Sequence, residues 1–477
     1  MASVRRQFPS ADKKSAKESK VLSRRDVLKG GVGVTLLACT SELLLRRRTT
    51  VTATGFDPTL SADLASPFFV YGLTNESPPV TLEMGTTANL SQPLTVVAQP
   101  LAAPPVRSLD GSRLASVSVS DQVGDTMKVT VTLIDYLTGS PVSSGILPVS
   151  GLPAGTLLLV TPTLAPDDNT VGLGLSISVP TNPRTATKFN VQSGETMTIQ
   201  AVTWVSHHEV AFFDGANSTF SGPYDLGDAP SLARVNIVAD ASDLYVWTVP
   251  DLSVLVASGT EVPSALTTTL RVFPLGSATP RLSLPAPGPW PVNSEPLLAL
   301  STGGAARMIY ARQLQVYDPT TGQATTYDYP DLAVVKSAKP GTPDLRLNSD
   351  GTLLLTNPAS GAAVFVDPAQ SYAVVASVTF PIPLTISGAA SKVALSGDCS
   401  TLYTLGPSGA GGLSAYDIQT NTLVASYSDG DEYAGVYCLG SGSLVALDRS
   451  SATLIFFSPA LDPVGEASPG LYVSRIY

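Results

Sequence analysis

Two histidines in 477 residues leave almost nothing for imidazole chemistry. A catalytic zinc site takes three protein ligands beside an open position, and haem or copper ligation leans on the same side chain. Two histidines therefore argue against a His-rich quinoprotein or a haem enzyme. Charge is scarce as well, at 14% of residues, and aromatics reach only 7%. A coiled coil or a highly charged disordered chain needs far more charge than this. No apolar run approaches the roughly 20 residues that a membrane-spanning helix requires. The formal charge of -10 argues against a nucleic-acid partner, because neutralising phosphates takes clustered Lys and Arg.

What the chain has in quantity is turn-formers and strand-formers. Gly and Pro number 39 each, and 43% of residues are hydrophobic. Many turns are implied, and the Val, Thr, Ser and Leu between them favour strands. The length is about three times a typical domain of roughly 150 residues, so the chain is several domains or one large β architecture.

Charge is unevenly placed. The first 53 residues hold 12 of the 28 basic side chains and 4 of the 38 acidic ones, which leaves a body of net charge -18. Within the basic leader, Ser23-Arg24-Arg25-Asp26-Val27-Leu28-Lys29 runs into the mild apolar stretch Gly30 to Ala38. Basic, then apolar, then small is the order of an export signal. The motif resembles the twin-arginine signal of bacterial proteins exported already folded, with Val27 where that family usually has Phe. The resemblance implies passage through the twin-arginine translocase on Arg24 and Arg25, to the periplasm or the outer face of the cytoplasmic membrane. Leu36-Leu37-Ala38-Cys39 resembles a lipobox, which would make Cys39 the lipidated residue of a lipoprotein. Cleavage after Val51-Thr52-Ala53, or an uncleaved leader, are the alternatives.

The body repeats. A polar turn opens a strand at Ser108–Ser112, Ala165–Asn169, Asn348–Thr352 and Ser396–Ser400. A second, Asp-led turn closes the next strand at Asp135–Gly139, Asp214–Asn217, Asp318–Gly322, Asp367–Gln370 and Asp417–Asn421, with a weaker copy at Ser458–Leu461. From Asp318 to Asp367 is 49 residues, from Asp367 to Asp417 is 50, and from Asp417 to Ser458 is 41. Strand patterning at a period of roughly 40 to 50 is what propeller blades show. The paired turns resemble those of the YVTN and WD40-like β-propeller families, although neither a Trp-Asp dipeptide nor a Tyr-Val-Thr-Asn string is present.

The expected fold is all-β, a β-propeller of seven four-stranded blades, with six or eight as neighbouring counts. The blades fall near 107–150, 158–225, 232–285, 295–330, 344–380, 390–428 and 434–467, with an insertion around Pro180 to Thr196. The chain divides into a leader at 1–53, an extended segment at 54–106 that can lend a ring-closing strand, and the propeller at 107–477. A series of β-sandwich domains is the alternative, but sandwiches do not repeat one turn at a constant period.

Candidate functional residues are few. Trp204, His207, His208 and Glu209 sit together, yet neighbours on a strand face opposite ways, so the two imidazoles could not easily share a metal. A disulfide between Cys399 and Cys438 is allowed after export. Asp429-Gly430-Asp431-Glu432 and Asp167-Asp168 carry oxygens that calcium favours, but as short turns they fall short of an EF-hand loop. Gly409–Gly412 lacks the Lys-Ser/Thr of a phosphate cradle, and no Ser/His/Asp set can be assembled. With no cofactor indicated, the expected function is an exported, monomeric binding module for a protein, peptide or carbohydrate, touching membrane only through its leader or a lipid. A lactonase-like hydrolase using channel carboxylates and a divalent cation is the competing expectation, and a structural adhesion module a third.

Overall fold

The computed structural model describes residues 66–74, 80–108, 111–189, 196–230, 233–239, 242–250, 269–285, 297–300, 306–310, 313–317, 323–333, 344–347, 352–357, 360–380, 392–406, 412–430, 433–439, 442–448, 453–469 and 471–477. Arg24, Arg25 and Cys39 lie outside them, and so do Asp431, Glu432 and Gly409 to Gly411.

The described strands make eight four-stranded antiparallel sheets. Blade 1 holds β4 (Val106–Arg107), β5 (Arg113–Val119), β6 (Met127–Asp135) and β7 (Pro141–Val149). Blade 2 holds β8 (Leu157–Leu164), β9 (Thr170–Phe189), β10 (Thr196–Asp214) and β11 (Thr219–Pro230). Blade 3 has β12 (Ala233–Ala239), β13 (Asp243–Pro250), β14 (Thr269–Pro274) and β15 (Leu282–Pro285). Blade 4 has β16 (Leu297–Leu300), β17 (Ala306–Tyr310), β18 (Gln313–Tyr317) and β19 (Ala324–Asp328). Blade 5 has β20 (Asp344–Leu347), β21 (Leu353–Asn357), β22 (Ala362–Asp367) and β23 (Ala373–Thr379). Blade 6 has β24 (Val393–Leu395), β25 (Thr401–Leu405), β26 (Leu413–Asp417) and β27 (Thr422–Tyr427). Blade 7 has β28 (Tyr433–Cys438), β29 (Leu444–Asp448), β30 (Leu454–Phe457) and β31 (Pro463–Ala467). Blade 8 joins the two ends of the chain: β32 (Leu471–Ile476) pairs with β1 (Pro67–Thr74), which carries β2 (Val80–Thr86) and β3 (Thr95–Ala98) outward.

The count is eight where the turns suggested seven. The additional sheet carries neither turn signature, since its first strand and its other three come from opposite termini. The segment before residue 107 accordingly lends three strands to the ring.

Strand chemistry follows position in the blade. Middle strands are covered on both faces by neighbouring blades and read as continuous apolar runs, such as Leu444–Asp448 and Ala362–Val366, all buried. Outer strands have one wet face and alternate or turn polar, as in Pro141–Val149. Shared cores then link each blade to the next. Leu114 and Ile134 of blade 1 pack with Phe69 and Leu82 of blade 8. Val131 of blade 1 joins Leu173 of blade 2, and Phe212 of blade 2 joins Ile237 of blade 3. β12 lies against β16, Leu314 packs with Leu355, and Phe365 with Leu402. Ala415 meets Leu444, and Phe456 of blade 7 meets Phe68 of blade 8. The circuit is closed, a β-propeller without an exposed inner edge.

The recurring turns have a local cause. Asp135 accepts hydrogen bonds from the backbone N–H and hydroxyl of Thr138, both at 2.9 Å, and Gly139 follows at φ +67°. Asp417 does the same with Thr420 at 2.7 Å, followed by Asn421 at φ 53°. Asp-x-x-Thr-Gly/Asn is thus a self-capping turn that ends in a left-handed residue. The strand-opening turns also share one left-handed position, filled by Gly111, Asp168, Cys399 and Gly442, whose N–H groups each bond back three residues. These carboxylates are committed to their own turns, and Asp167, once a calcium candidate, accepts from Asn169 and Thr170. Gly412, at φ +89°, has no room for a Cβ against the carbonyl oxygen of Tyr427. Gly412→Ala should cost about 1–3 kcal/mol of stability; an unchanged chemical-denaturation midpoint would contradict that geometry.

Candidate binding site on blade 2

The insertion expected near Pro180 to Thr196 is a continuation of the two middle strands. β8 ends its pairing at Leu157 opposite Ser178, but β9 runs on to Phe189, paired throughout with β10. Eleven further residues at about 3.3 Å each carry this hairpin roughly 35 Å past β8. Because strands alternate in direction, the Asp-led turns share one end of the blades and this hairpin rises from the other.

At its base lies the His-His-Glu sequence. On β10, His207 and Glu209 point to the side where Ala211 and Phe213 pack into the core shared with blade 1. His208 points to the side where Val210 and Phe212 pack into the core shared with blade 3. The two imidazoles are therefore separated by the strand. Trp204 continues β10 opposite Pro180.

Sequence reading missed two partners of His207, Asp225 and Asp228 on β11. Three residues apart, they would face opposite sides of a regular strand. A bulge changes this: His208 pairs with Gly227 and Glu209 with Asp225, so Leu226 is an extra residue. Gly227 takes φ +91°, and its N–H donates to Asp225 Oδ1 at 2.5 Å. The signal was present in Asp225-Leu226-Gly227-Asp228, but only the pairing register reveals it.

The result is one imidazole among three carboxylates. His207 Nδ1 lies 2.8 Å from Asp228 Oδ1, and Nε2 lies 3.5 Å from Asp225 Oδ1 and 3.7 Å from Glu209 Oε1. Glu209 is mostly buried, with Oε2 unpartnered among the described residues. Burial raises its pKa, the nearby His207 lowers it, and Asp225 raises it again. Such a cluster can receive a cationic group on a ligand. Among the described residues, no group of three or more His, Cys, Asp or Glu side chains is arranged to hold a metal ion.

His208 is a different kind of residue. It is 2% exposed, and neither ring nitrogen has a partner among the described residues. Burial first, then the neighbouring His207 and, after an opposing effect of Asp228, Arg271 hold its pKa down to about 4. The remaining candidates sit elsewhere. Cys399 and Cys438 are unbridged. Burial pushes the Cys438 thiol up to about 11, against a hydrogen bond from the Gly397 backbone that lowers it, so this thiol lies beside the turn carrying Cys399. Asp429 accepts from the Tyr433 hydroxyl at 2.5 Å.

No protein-family model matches the chain. No curated protein matches it either. Solved structures do. The dihydro-heme d1 dehydrogenase NirN, in complex with DHE, is 14% identical over 90% of this chain and 77% of its own, with a TM-score of 0.48. A putative 6-phosphogluconolactonase from Bacteroides fragilis is 13% identical over 88% of this chain and 99% of its own, at 0.40. The C-terminal WD40 domain of Sif2 is 12% identical over 73% and 93%, at 0.35. The neighbours include enzymes and interaction modules alike.

Proposed function

We propose that the protein is an exported binding module of the cell envelope, which takes a protein, peptide or carbohydrate ligand on the face bearing the β9–β10 hairpin. The observation that carries this reading is the hairpin itself. Blade 2 of a closed ring sends two paired strands far past its own first strand β8, with a His207–Asp225–Asp228–Glu209 cluster at their base. Loops and extensions at one end of a rigid scaffold are where ligands are received. The acidic body suits a partner of opposite charge and repels nucleic acid. Mature protein would act as a monomer, held to membrane only by its leader or by lipid on Cys39.

Replacing residues 186–199 with Asn-Gly, a two-residue hairpin turn, shortens the extension at Thr185 and Gln200, which are already paired. On peptide and glycan arrays the full chain should show discrete binding, and the shortened chain should lose a distinct set of the bound ligands; an unchanged binding pattern would remove the hairpin from the site. Stoichiometric metal in the purified protein together with lactone hydrolysis would replace this reading with the hydrolase. Export is tested separately. The double variant R24K/R25K should remain in the cytoplasm, and continued export would refute the twin-arginine address. With Cys39→Ser, membrane retention should fall; retention equal to the parent would remove the lipid anchor from the account.

A further inference from the structure

A second site is built between blades 4 and 5. A cleft of about 350 Å³ opens there, toward the small end of ligand sites and suited to one side chain more than to a cofactor. Tyr327, at the end of β19, and Tyr372, just before β23, form its aromatic wall, with ring centroids 4.8 Å apart. Tyr329 is buried behind them and donates its hydroxyl hydrogen bond to the Tyr372 carbonyl at 3.0 Å. Asp328 and Asp331, both exposed, line the same cleft, Asp331 Oδ2 accepts from the Ser377 hydroxyl at 3.2 Å, and no Lys, Arg or His is among the cleft's described lining residues.

The turn that presents Tyr372 departs from its repeats. In blade 1 the corresponding N–H, that of Gly139, bonds back four residues to Asp135. In blade 5 the N–H of Tyr372 bonds back five residues to Asp367, so this turn holds one more residue. The extra length puts Ser371 at φ 55° and Tyr372 at φ 60°, two successive left-handed residues. Left-handed φ is rare for a bulky side chain, and such strained positions concentrate at ligand sites. The Tyr372 ring packs on Tyr327 in the cleft that the two carboxylates also line.

Aromatic faces attract cations through the ring quadrupole, and adjacent carboxylates add charge and hydrogen-bond acceptors. We infer that this cleft receives an arginine or lysine side chain of a basic peptide segment on a partner protein. The inference rests on the binding-module reading above, and it adds a partner class and a site remote from the blade 2 hairpin.

The test uses purified full chain and a fluorescein-labelled peptide with arginine at alternate positions, read by fluorescence anisotropy. A second peptide carries citrulline, a neutral isostere, in place of each arginine, and maltotetraose serves as the carbohydrate probe. The arginine peptide should bind, and the citrulline peptide should bind at least tenfold more weakly. Tyr372→Ala and the pair Asp328→Asn with Asp331→Asn should each weaken the arginine peptide about tenfold, while Tyr372→Phe, which keeps the ring, should bind like the parent. Thermal melting identifies any variant that fails to fold, and in that event the exposed Asp pair decides. Equal binding of the two peptides, or arginine-peptide affinity unchanged by the Asp pair, would overturn this site while leaving the module reading intact. Binding of maltotetraose alone would overturn the basic-peptide assignment, and a chain that bound no peptide or glycan on any array would remove both readings.

Discussion

Cutting the chain before Leu471 should leave a protein that melts far below the full-length chain. The seven residues removed include β32, which pairs with β1 from Val70↔Ile476 to Thr74↔Leu471, and Tyr477, which exchanges backbone hydrogen bonds with Phe69 at 3.0 and 3.2 Å. Without them the last blade has three strands, and the ring has a free inner edge beside a core of Phe68, Val70, Leu454 and Phe456. A point substitution grades the same effect. Phe68 and Phe456 are fully buried on facing blades, with ring centroids 5.1 Å apart. Truncating either to Ala should cost about 3–5 kcal/mol. The double variant should cost less than the sum of the two, because both remove one contact. Chemical denaturation reads each value. If the truncated chain melted within a few degrees of the parent, β32 would not close the ring.

That closure explains which parts of the fold could be read in advance. Blades 1 to 7 fall within a few residues of their expected bounds because their turns are written locally, as in blades 1 and 6: an Asp, a donor three residues on, and a left-handed residue after it. Such chemistry needs no partner elsewhere in the chain. Blade 8 depends on pairing Val70 with Ile476, some four hundred positions apart, and its β2–β3 connection contains no Asp. Nothing local could announce it. The candidate site divides in the same way. His207 and Glu209 were legible as rare residue types, and their common face followed from strand alternation. Asp225 and Asp228 entered the site only through the bulge at Leu226, which is a property of how β10 and β11 pair. The Tyr327–Tyr372 wall was hidden for a related reason, since one added turn residue matters only once the neighbouring blade is in place.

Opposite that bulge, β10 carries a residue whose ionisation should make stability depend on pH. In the unfolded chain His208 titrates near 6.5, and in the fold it titrates near 4. Between those values the unfolded chain binds a proton that the fold refuses, so stability must fall as pH falls. The loss begins near pH 6.5, is complete near pH 4, and amounts to about 3 kcal/mol. Two other groups act in distinguishable ways. Glu209, whose pKa burial raises above 4.5, favours the fold as it gains its proton and so opposes His208 in the lower part of the range. Asp135, Asp214, Asp398 and Asp417, held below 3.8 by hydrogen bonds from their own turns, stabilise the fold above that pH and lose this contribution only under stronger acid. Comparing the parent with His208→Met isolates the histidine, because the other groups are common to both. At pH 7.5 the variant should match or exceed the parent, since Met leaves no unpartnered buried nitrogen in a pocket that His208 fills without hydrogen bonds. Toward pH 4 its advantage should widen by about 3 kcal/mol. Denaturation midpoints measured across that interval provide the check. Parallel pH profiles for the two proteins would mean that His208 reaches solvent or a partner in the folded state, and that the contact between blades 2 and 3 is looser than its buried Val210, Phe212, Val235 and Ile237 imply.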